Sequence, residues 1–336
     1  MPDIPQLHMK YQIVRTQILL QSVIYIFLSS CSIAHAEALP RTETLKLVIG
    51  YIPHIQFAPL YVGLEKGMYL DRQIELKIEY GFGSDIFGLL LQEKIDLGLS
   101  DSDQLILSGA NDLGLVALLQ YYQKIPVTIV AKRQKIKSPE DFRGKRIGTP
   151  MMAGTNYIGL EVFLQHYQLK NAVMVENIGY TQITSLLHND IDGAVCFLNN
   201  EPVKLRQLGT EISQWDIREF SNIIGGSFIT SRALTQKRRD VLGRFTEATI
   251  AAMEYTCKHQ EDAIQLSLPY LDQYSEQPDY TLLRGVLAST CQLLDSSSGY
   301  GALDPKAYAD SIETLYQLSL IESVYPARKI LFNPVD

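Results

Sequence analysis

Beyond residue 44 the chain alternates short apolar runs with stretches whose apolar residues recur at helical spacing. Leu45 to Tyr51 reads as a strand. Phe57, Leu60, Tyr61 and Leu64 then fall at i, i+3, i+4 and i+7, one helical face, with Pro59 in the first turn and Gly67 as the stop. Ile74 to Tyr80 alternates as a second strand. Asp85 is placed to cap a helix through Lys94, Ile95 to Leu99 returns as a strand, Gln104 to Ala110 is helical, and Leu113 to Leu119 and Val127 to Ala131 are strands. A second series starts at Ser138-Pro139-Glu140-Asp141, which combines an N-cap, a proline at the first helical position and acids in the first turn. It continues through strand Arg146 to Thr149, helix Asn156 to Tyr167, strand Val173 to Ile178, a helix ending near His188 and strand Ile191 to Phe197. After Phe228 the pattern is mostly helical, over Leu234 to Lys258, Glu261 to Leu271, Pro278 to Leu293 and Pro305 to Leu318.

Such alternation predicts an α/β fold, mostly parallel sheets flanked by helices on both faces. The two series echo each other. Leu90-Leu91-Gln92-Glu93-Lys94-Ile95-Asp96 is matched by Leu186-Leu187-His188-Asn189-Asp190-Ile191-Asp192, each closing a helix and opening a strand, and Gly81-Phe82 finds its counterpart in Gly179-Tyr180. The echo fits two lobes on one plan. Lobe 1 is expected over residues 45–131 and 229–336, with the helical C-terminal segment returning to it, and lobe 2 over 132–228. The crossings then fall near Val130 and near Ile229, and two such crossings permit hinge closure around a ligand.

The N-terminus carries a different pattern. Lys10 and Arg15 precede Ile18 to Leu28, an apolar stretch interrupted by Gln21 and Ser22, which reads as a signal peptide within residues 1–36 and is too short to span a bilayer as a free helix. Met9-Lys10 is the more natural start of such a segment. The stretch ends in Leu28-Ser29-Ser30-Cys31, which resembles the lipobox of bacterial lipoproteins, with Cys31 as the acylated anchor holding the protein to the membrane. Cleavage after Ala34-His35-Ala36 is the rival, and would release a soluble periplasmic protein. Of the other cysteines, Cys257 and Cys291 are free to pair in an oxidising compartment or to stay as buried thiols, and Cys196 has no C-x-x-C neighbour. The histidines are scattered, so no metal site and no cofactor is expected.

Lys and Arg total 30 against 37 for Asp and Glu, a formal charge of −7, so no basic field exists to attract nucleic acid. In an open α/β sheet the ligand crevice lies beyond the carboxyl ends of the strands. That rule selects His54, Gln56, Phe57, Phe82, Asp101, Asp103, Gln104, Tyr121, Tyr122, Thr155, Asn156, Tyr157, Tyr180, Gln182, Asn199, Asn200 and Glu201. The set is aromatic, amide and acidic, with no Lys or Arg, where a sulfonate or phosphate would call for one. A neutral planar heterocycle fits it better, stacked on tyrosine or phenylalanine and paired through its edge with amides. Several candidates have a plainer reading. Phe57 begins the apolar stripe of its helix, Asp103 is placed to cap the next one, Glu201 is a first-turn acid before Pro202, Asn199-Asn200 makes an ordinary turn, and Gly154-Thr155-Asn156 serves as a helix start. Tyr121 and Tyr122 follow one another at a strand end, so one at most is expected to face the ligand. Trp215, in a polar stretch, reads as packing.

Gly50-Tyr51-Ile52-Pro53, Phe57-Ala58-Pro59-Leu60-Tyr61-Val62-Gly63 and Glu65-Lys66-Gly67-Met68-Tyr69 together are similar to the opening signature of the SsuA/Thi5-like (NMT1) superfamily. The resemblance runs from about Leu45 to Pro269. Asp103-Gln104, Tyr121-Tyr122-Gln123, Tyr157-Ile158-Gly159-Leu160, Gly179-Tyr180-Thr181-Gln182 and Asn199-Asn200-Glu201-Pro202-Val203 look most like its riboflavin-binding branch. The resemblance implies a two-lobe periplasmic-binding-protein fold of type II. It also implies a monomeric extracytoplasmic protein that delivers riboflavin, or alternatively a thiamine-precursor pyrimidine, to the permease and ATPase subunits of an ABC importer. The superfamily also holds a thiamine pyrimidine synthase, whose lysine and histidine correspond here to Ser100 and Gln104 and whose cysteine-rich segment corresponds to Ile224-Gly225-Gly226-Ser227. Without the amine that step lacks its nucleophile, so no enzyme is expected.

Overall fold

The computed structural model describes residues 42–81, 85–271 and 278–334, so Cys31, the apolar run before it and Phe82 lie outside the described residues. Ten strands among them form two five-stranded sheets. The first takes β1 (Glu43–Ile49), β2 (Ile74–Tyr80), β3 (Leu97–Asp101), β4 (Leu115–Gln120) and β10 (Gly226–Ser231) in the order β2-β1-β3-β10-β4. The second takes β5 (Val127–Lys132), β6 (Arg146–Thr149), β7 (Met174–Asn177), β8 (Gly193–Phe197) and β9 (Ile212–Asp216) in the order β7-β6-β8-β5-β9. In each sheet one strand runs against its neighbours, β10 in the first and β5 in the second. Each is the first strand after the chain has crossed from the other sheet.

The helices are α1 (Ala58–Glu65), α2 (Ile86–Leu91), α3 (Ser102–Ala110), α4 (Gly154–His166), α5 (Gln182–His188), α6 (Glu201–Gln207), α7 (Arg232–Lys237), α8 (Arg239–Lys258), α9 (Gln260–Ser267), α10 (Tyr280–Leu294) and α11 (Pro305–Gln317). None among the described residues is long and apolar enough to cross a membrane. Strand alternation explains why helices cover both faces. Leu45, Leu47 and Ile49 pack into a core with Leu60, Tyr61 and Phe245, while Val48 between them joins Ile86, Leu90, Leu105 and Ile106 in another.

The sequence echo has a structural counterpart. At the joint after α2, the Lys46 amide donates to Asp96 Oδ2 at 2.8 Å and the Asp96 amide returns to Lys46 O at 3.0 Å. After α5, the Arg146 amide donates to Asp192 Oδ2 at 3.0 Å and Asp192 N to Arg146 O at 2.9 Å. Glu93 and Asn189, equivalent in the echo, both turn left-handed, at φ 53° and 64°. That turn ends α2 at Leu91, short of the Lys94 expected.

The lobe boundaries need correction. Val127–Lys132 pairs with β8 and β9 and belongs to the second sheet, while Gly226–Ser231 pairs with β3 and β4 in the first. The crossings are therefore 121–126 and 217–225, ahead of Val130 and Ile229, because apolar pattern marks a strand without saying which sheet receives it. The two crossings lie against each other only because residue 225 is glycine. A Cβ there would stand 2.5 Å from Tyr122 Cβ and 2.6 Å from Lys124 O. Cys257, near the end of α8, is bonded to Cys291 of α10 with Cα atoms 5.5 Å apart, which closes the alternative of two free thiols.

Candidate ligand-binding site

Between the carboxyl ends of the two sets of strands lies a cavity of about 190 Å³. The first sheet brings Ile49, Gly50 and Tyr51 from the end of β1, Gln56 and Phe57 before α1, Leu99, Ser100 and Asp101 from β3, Tyr121 and Tyr122 after β4, and Gly226. The second brings Asn156 from the first turn of α4, Tyr180, Gln182, Phe197, Asn200 and Glu201. No lysine, arginine or histidine lines it among the described residues.

The floor is a hydrogen-bonded set of tyrosines. Tyr121 Oη donates to Gln56 O at 2.5 Å and Tyr122 Oη to Gln56 Oε1 at 2.8 Å. Asn199 Nδ2 in turn donates to Tyr122 Oη at 3.2 Å and to Thr290 Oγ1 of α10 at 2.9 Å. Burial first, and the neighbouring Asp101 charge after it, raise the Tyr122 pKa, so the phenol stays a donor. Both tyrosines face the cavity, against the expectation of one at most. The amides of both donate to the single carbonyl Gly226 O, so the chain has left the pleat and strand alternation no longer applies.

Two carboxyl groups stand at the start of α3. Asp103 is buried and accepts from Thr155 Oγ1 of α4 at 2.5 Å and from Gln104 Nε2 at 3.0 Å, which ties the first sheet's helix to the second's. Asp101 caps α3 without a side-chain bond to its backbone and keeps part of its surface open to the cavity. Burial raises both pKa values, and for Asp101 the Asp103 charge adds to it. Glu201 opens α6, accepts from Phe197 N at 3.0 Å and from Gln182 Nε2 at 3.4 Å, and is raised by burial. Asn156 Oδ1 and Asn200 Oδ1 are buried and have no hydrogen-bond partner among the described residues, so the cavity holds acceptors ready for a ligand's N–H or O–H groups.

Of the residues chosen from the sequence, Gln56, Phe57, Asp101, Tyr121, Tyr122, Asn156, Tyr180, Gln182, Asn200 and Glu201 come together in the lining. The other described ones stand outside it. His54 caps the turn before α1 through Nδ1, which accepts from Gln56 N, and burial lowers its pKa to about 4. Gln104 is exposed and serves Asp103. Asp103 and Thr155 are spent on each other, Tyr157 lies on α4 beside Glu161, and Asn199 sits behind Tyr122. Phe82 and Cys31 fall outside the described residues. Tyr51 and Phe197 were not singled out. Tyr51 lies two residues beyond the end of β1 and Phe197 is the last residue of β8, and the strand-end rule points to both once the ends of the strands are known. Trp215 packs edge-on to Phe142 with centroids 5.4 Å apart, in keeping with a packing role.

The periplasmic aliphatic sulphonate binding protein SsuA from Escherichia coli shares the fold, with a TM-score of 0.65 at 15% identity over 87% of this chain and 92% of its own. This is the two-lobe α/β fold of periplasmic binding proteins. The riboflavin-binding protein RibY of Chloroflexus aurantiacus is 25% identical over 306 residues, 88% of this chain and 87% of that protein. A formylaminopyrimidine-binding protein of Halalkalibacterium halodurans is 21% identical over 303 residues, 86% of this chain and 90% of that protein. The NMT1/THI5 like family model matches residues 54–263, which span both sheets and nearly all of the cavity lining, and the chain belongs to that family.

Proposed function

We propose that this protein is the extracytoplasmic solute-binding component of an ABC importer and that its ligand is a neutral planar heterocycle, riboflavin first. The observation that carries this reading is the lining itself: aromatic rings from both sheets, amides and carboxyl oxygens between them, and no cationic side chain among the described residues. A ring system stacked on Tyr51, Phe57 or Tyr180 would present its edge to Gln56, Gln182 and the unpartnered oxygens of Asn156 and Asn200. The similarity to RibY across most of both chains favours the flavin. Ser100 and Gln104 offer neither amine nor imidazole, in keeping with capture without chemistry. The Cys257–Cys291 bridge fits an oxidising compartment, and Cys31 is the residue proposed to anchor the chain to the membrane, where the closed form would meet its permease and ATPase.

A second reading keeps the protein and changes the cargo. The cavity volume of about 190 Å³ is below the ~300 Å³ at which pockets for drug-sized ligands begin, so riboflavin requires the lobes to part further, whereas an aminopyrimidine is the smaller guest. Titration of the purified protein with riboflavin and with a formylaminopyrimidine, read by tyrosine fluorescence, separates the two. A response to sub-micromolar riboflavin is expected; saturation by the pyrimidine with no flavin response moves the assignment to the second cargo.

A further inference from the structure

We propose that Asp101 is the specificity-determining residue by which this cavity accepts a neutral, hydroxyl- or amino-bearing ligand and rejects the phosphorylated form of the same molecule. The inference rests on the reading above that the cavity holds a neutral heterocycle. Helix N-termini are ready-made anion sites, since their free amides and dipole favour negative charge. Three helices of eight or more residues, α1, α3 and α4, begin at the cavity, and at α3 and α4 the protein has already placed its own carboxyl groups. Asp101 is the cap of α3, and Asp103 meets the first turn of α4 through Thr155.

The two acids differ in what they have left to offer. Thr155 has one hydroxyl proton and gives it to Asp103 Oδ1 at 2.5 Å, while Gln104 satisfies the other oxygen. Asp101 lies close enough to the same threonine for the hydroxyl to favour its ionised form, and it faces the cavity, with Tyr122 and Tyr180 near it. Burial and the Asp103 charge raise its pKa to about 7, so above that pH its oxygens are acceptors only, and a ligand hydroxyl or amino group is welcome where a phosphate oxygen is not. A phosphate adds about −1.5 to −2 charge near neutrality. Among the described residues no lysine or arginine lines the cavity to offset it, and Glu201 adds a second acid on the far wall. At ~8 Å in surroundings of intermediate dielectric, one such repulsion separates two ligands by about tenfold or more in affinity.

The test compares riboflavin with riboflavin 5′-phosphate on the full-length mature protein, by fluorescence titration at pH 8, in wild type, Asp101→Asn and Asp101→Ser. Wild type is expected to prefer riboflavin by about tenfold or more, and both variants to narrow that ratio severalfold, chiefly by binding the phosphate form more tightly. The second variant carries the readout if the melting temperature shows that the first does not fold. Equal affinity of wild type for the two flavins overturns the inference, as does a ratio unchanged in the variants. If wild type ignores riboflavin but binds a 5-hydroxymethyl aminopyrimidine, the flavin reading falls alone. The same ratio, measured with that pyrimidine and its phosphate ester, then decides the role of Asp101.

Discussion

His54 is a histidine held neutral. Burial lowers its pKa from the ordinary 6.5 to about 4, and its Nδ1 is already committed as acceptor to Gln56 N. Between those values the unfolded chain binds a proton that the folded chain does not, so its contribution to stability is whole above pH 6.5 and is lost as pH falls toward 4. With a discount for the ring's partial exposure, wild type is expected to lose about 1–2 kcal/mol between pH 7 and pH 5 relative to His54→Asn, whose side chain keeps the turn without titrating. Urea unfolding of both proteins at the two pH values measures the difference, and parallel losses would show that His54 titrates normally. Two residues further on, Gln56→Ala removes the acceptor of Tyr122 Oη inside the protein. The expected cost is about 1–3 kcal/mol in the same assay, together with weaker ligand binding, because a buried donor is left unmet. Residue types in the cavity were legible from the sequence: amide, acid and aromatic residues followed the strands. Their assignments were less so, since Asp103, Thr155 and Asn199 have the right chemistry and the right place in the chain, yet spend it on one another and on Tyr122.

Among the elements, α8 and α10 are joined covalently, and the disulfide closes a loop of 34 residues. Reduction, or Cys291→Ser, is expected to destabilise the protein by about 3–4 kcal/mol on chain-entropy grounds. Unfolding with and without reductant tests this, and an effect below about 1 kcal/mol would mean that the helices hold the same geometry unaided. The bridge sits where α10 packs on α9 and on Ile55, Ala58 and Val62, so its loss would loosen the wall that Thr290 offers to Asn199. Elements with strong periodicity were readable from the chain alone, and the echo between Asp96 and Asp192 even marked equivalent joints in the two sheets. β9 and β10 were not. β9 is half-buried along its length and places Ser213, Gln214 and Asp216 around Trp215 without alternation, while β10 opens with Gly226-Ser227 and is buried between two neighbours that only the folded sheet supplies.

For the molecule as a whole, binding is a matter of what holds two sheets together when only residues 121–126 and 217–225 connect them. Polar ties span the gap, among them Asp103 with Thr155, Asn199 with Thr290, and Gln207 and Lys204 with Asp279. A ligand touching both walls adds to these ties, and its apparent affinity depends on how far they already favour the closed arrangement. Thr155→Val keeps the shape of the side chain and removes the proton that Asp103 receives, which leaves a buried carboxyl group without that donor. A hydrogen bond to such a group contributes about 1.5–3 kcal/mol, so the ligand is expected to bind about 10- to 100-fold more weakly. Small-angle scattering of the loaded protein should then show a larger radius of gyration than wild type at the same saturation. Unaltered affinity with unaltered scattering would mean that the ligand, and not this tie, sets the closed state.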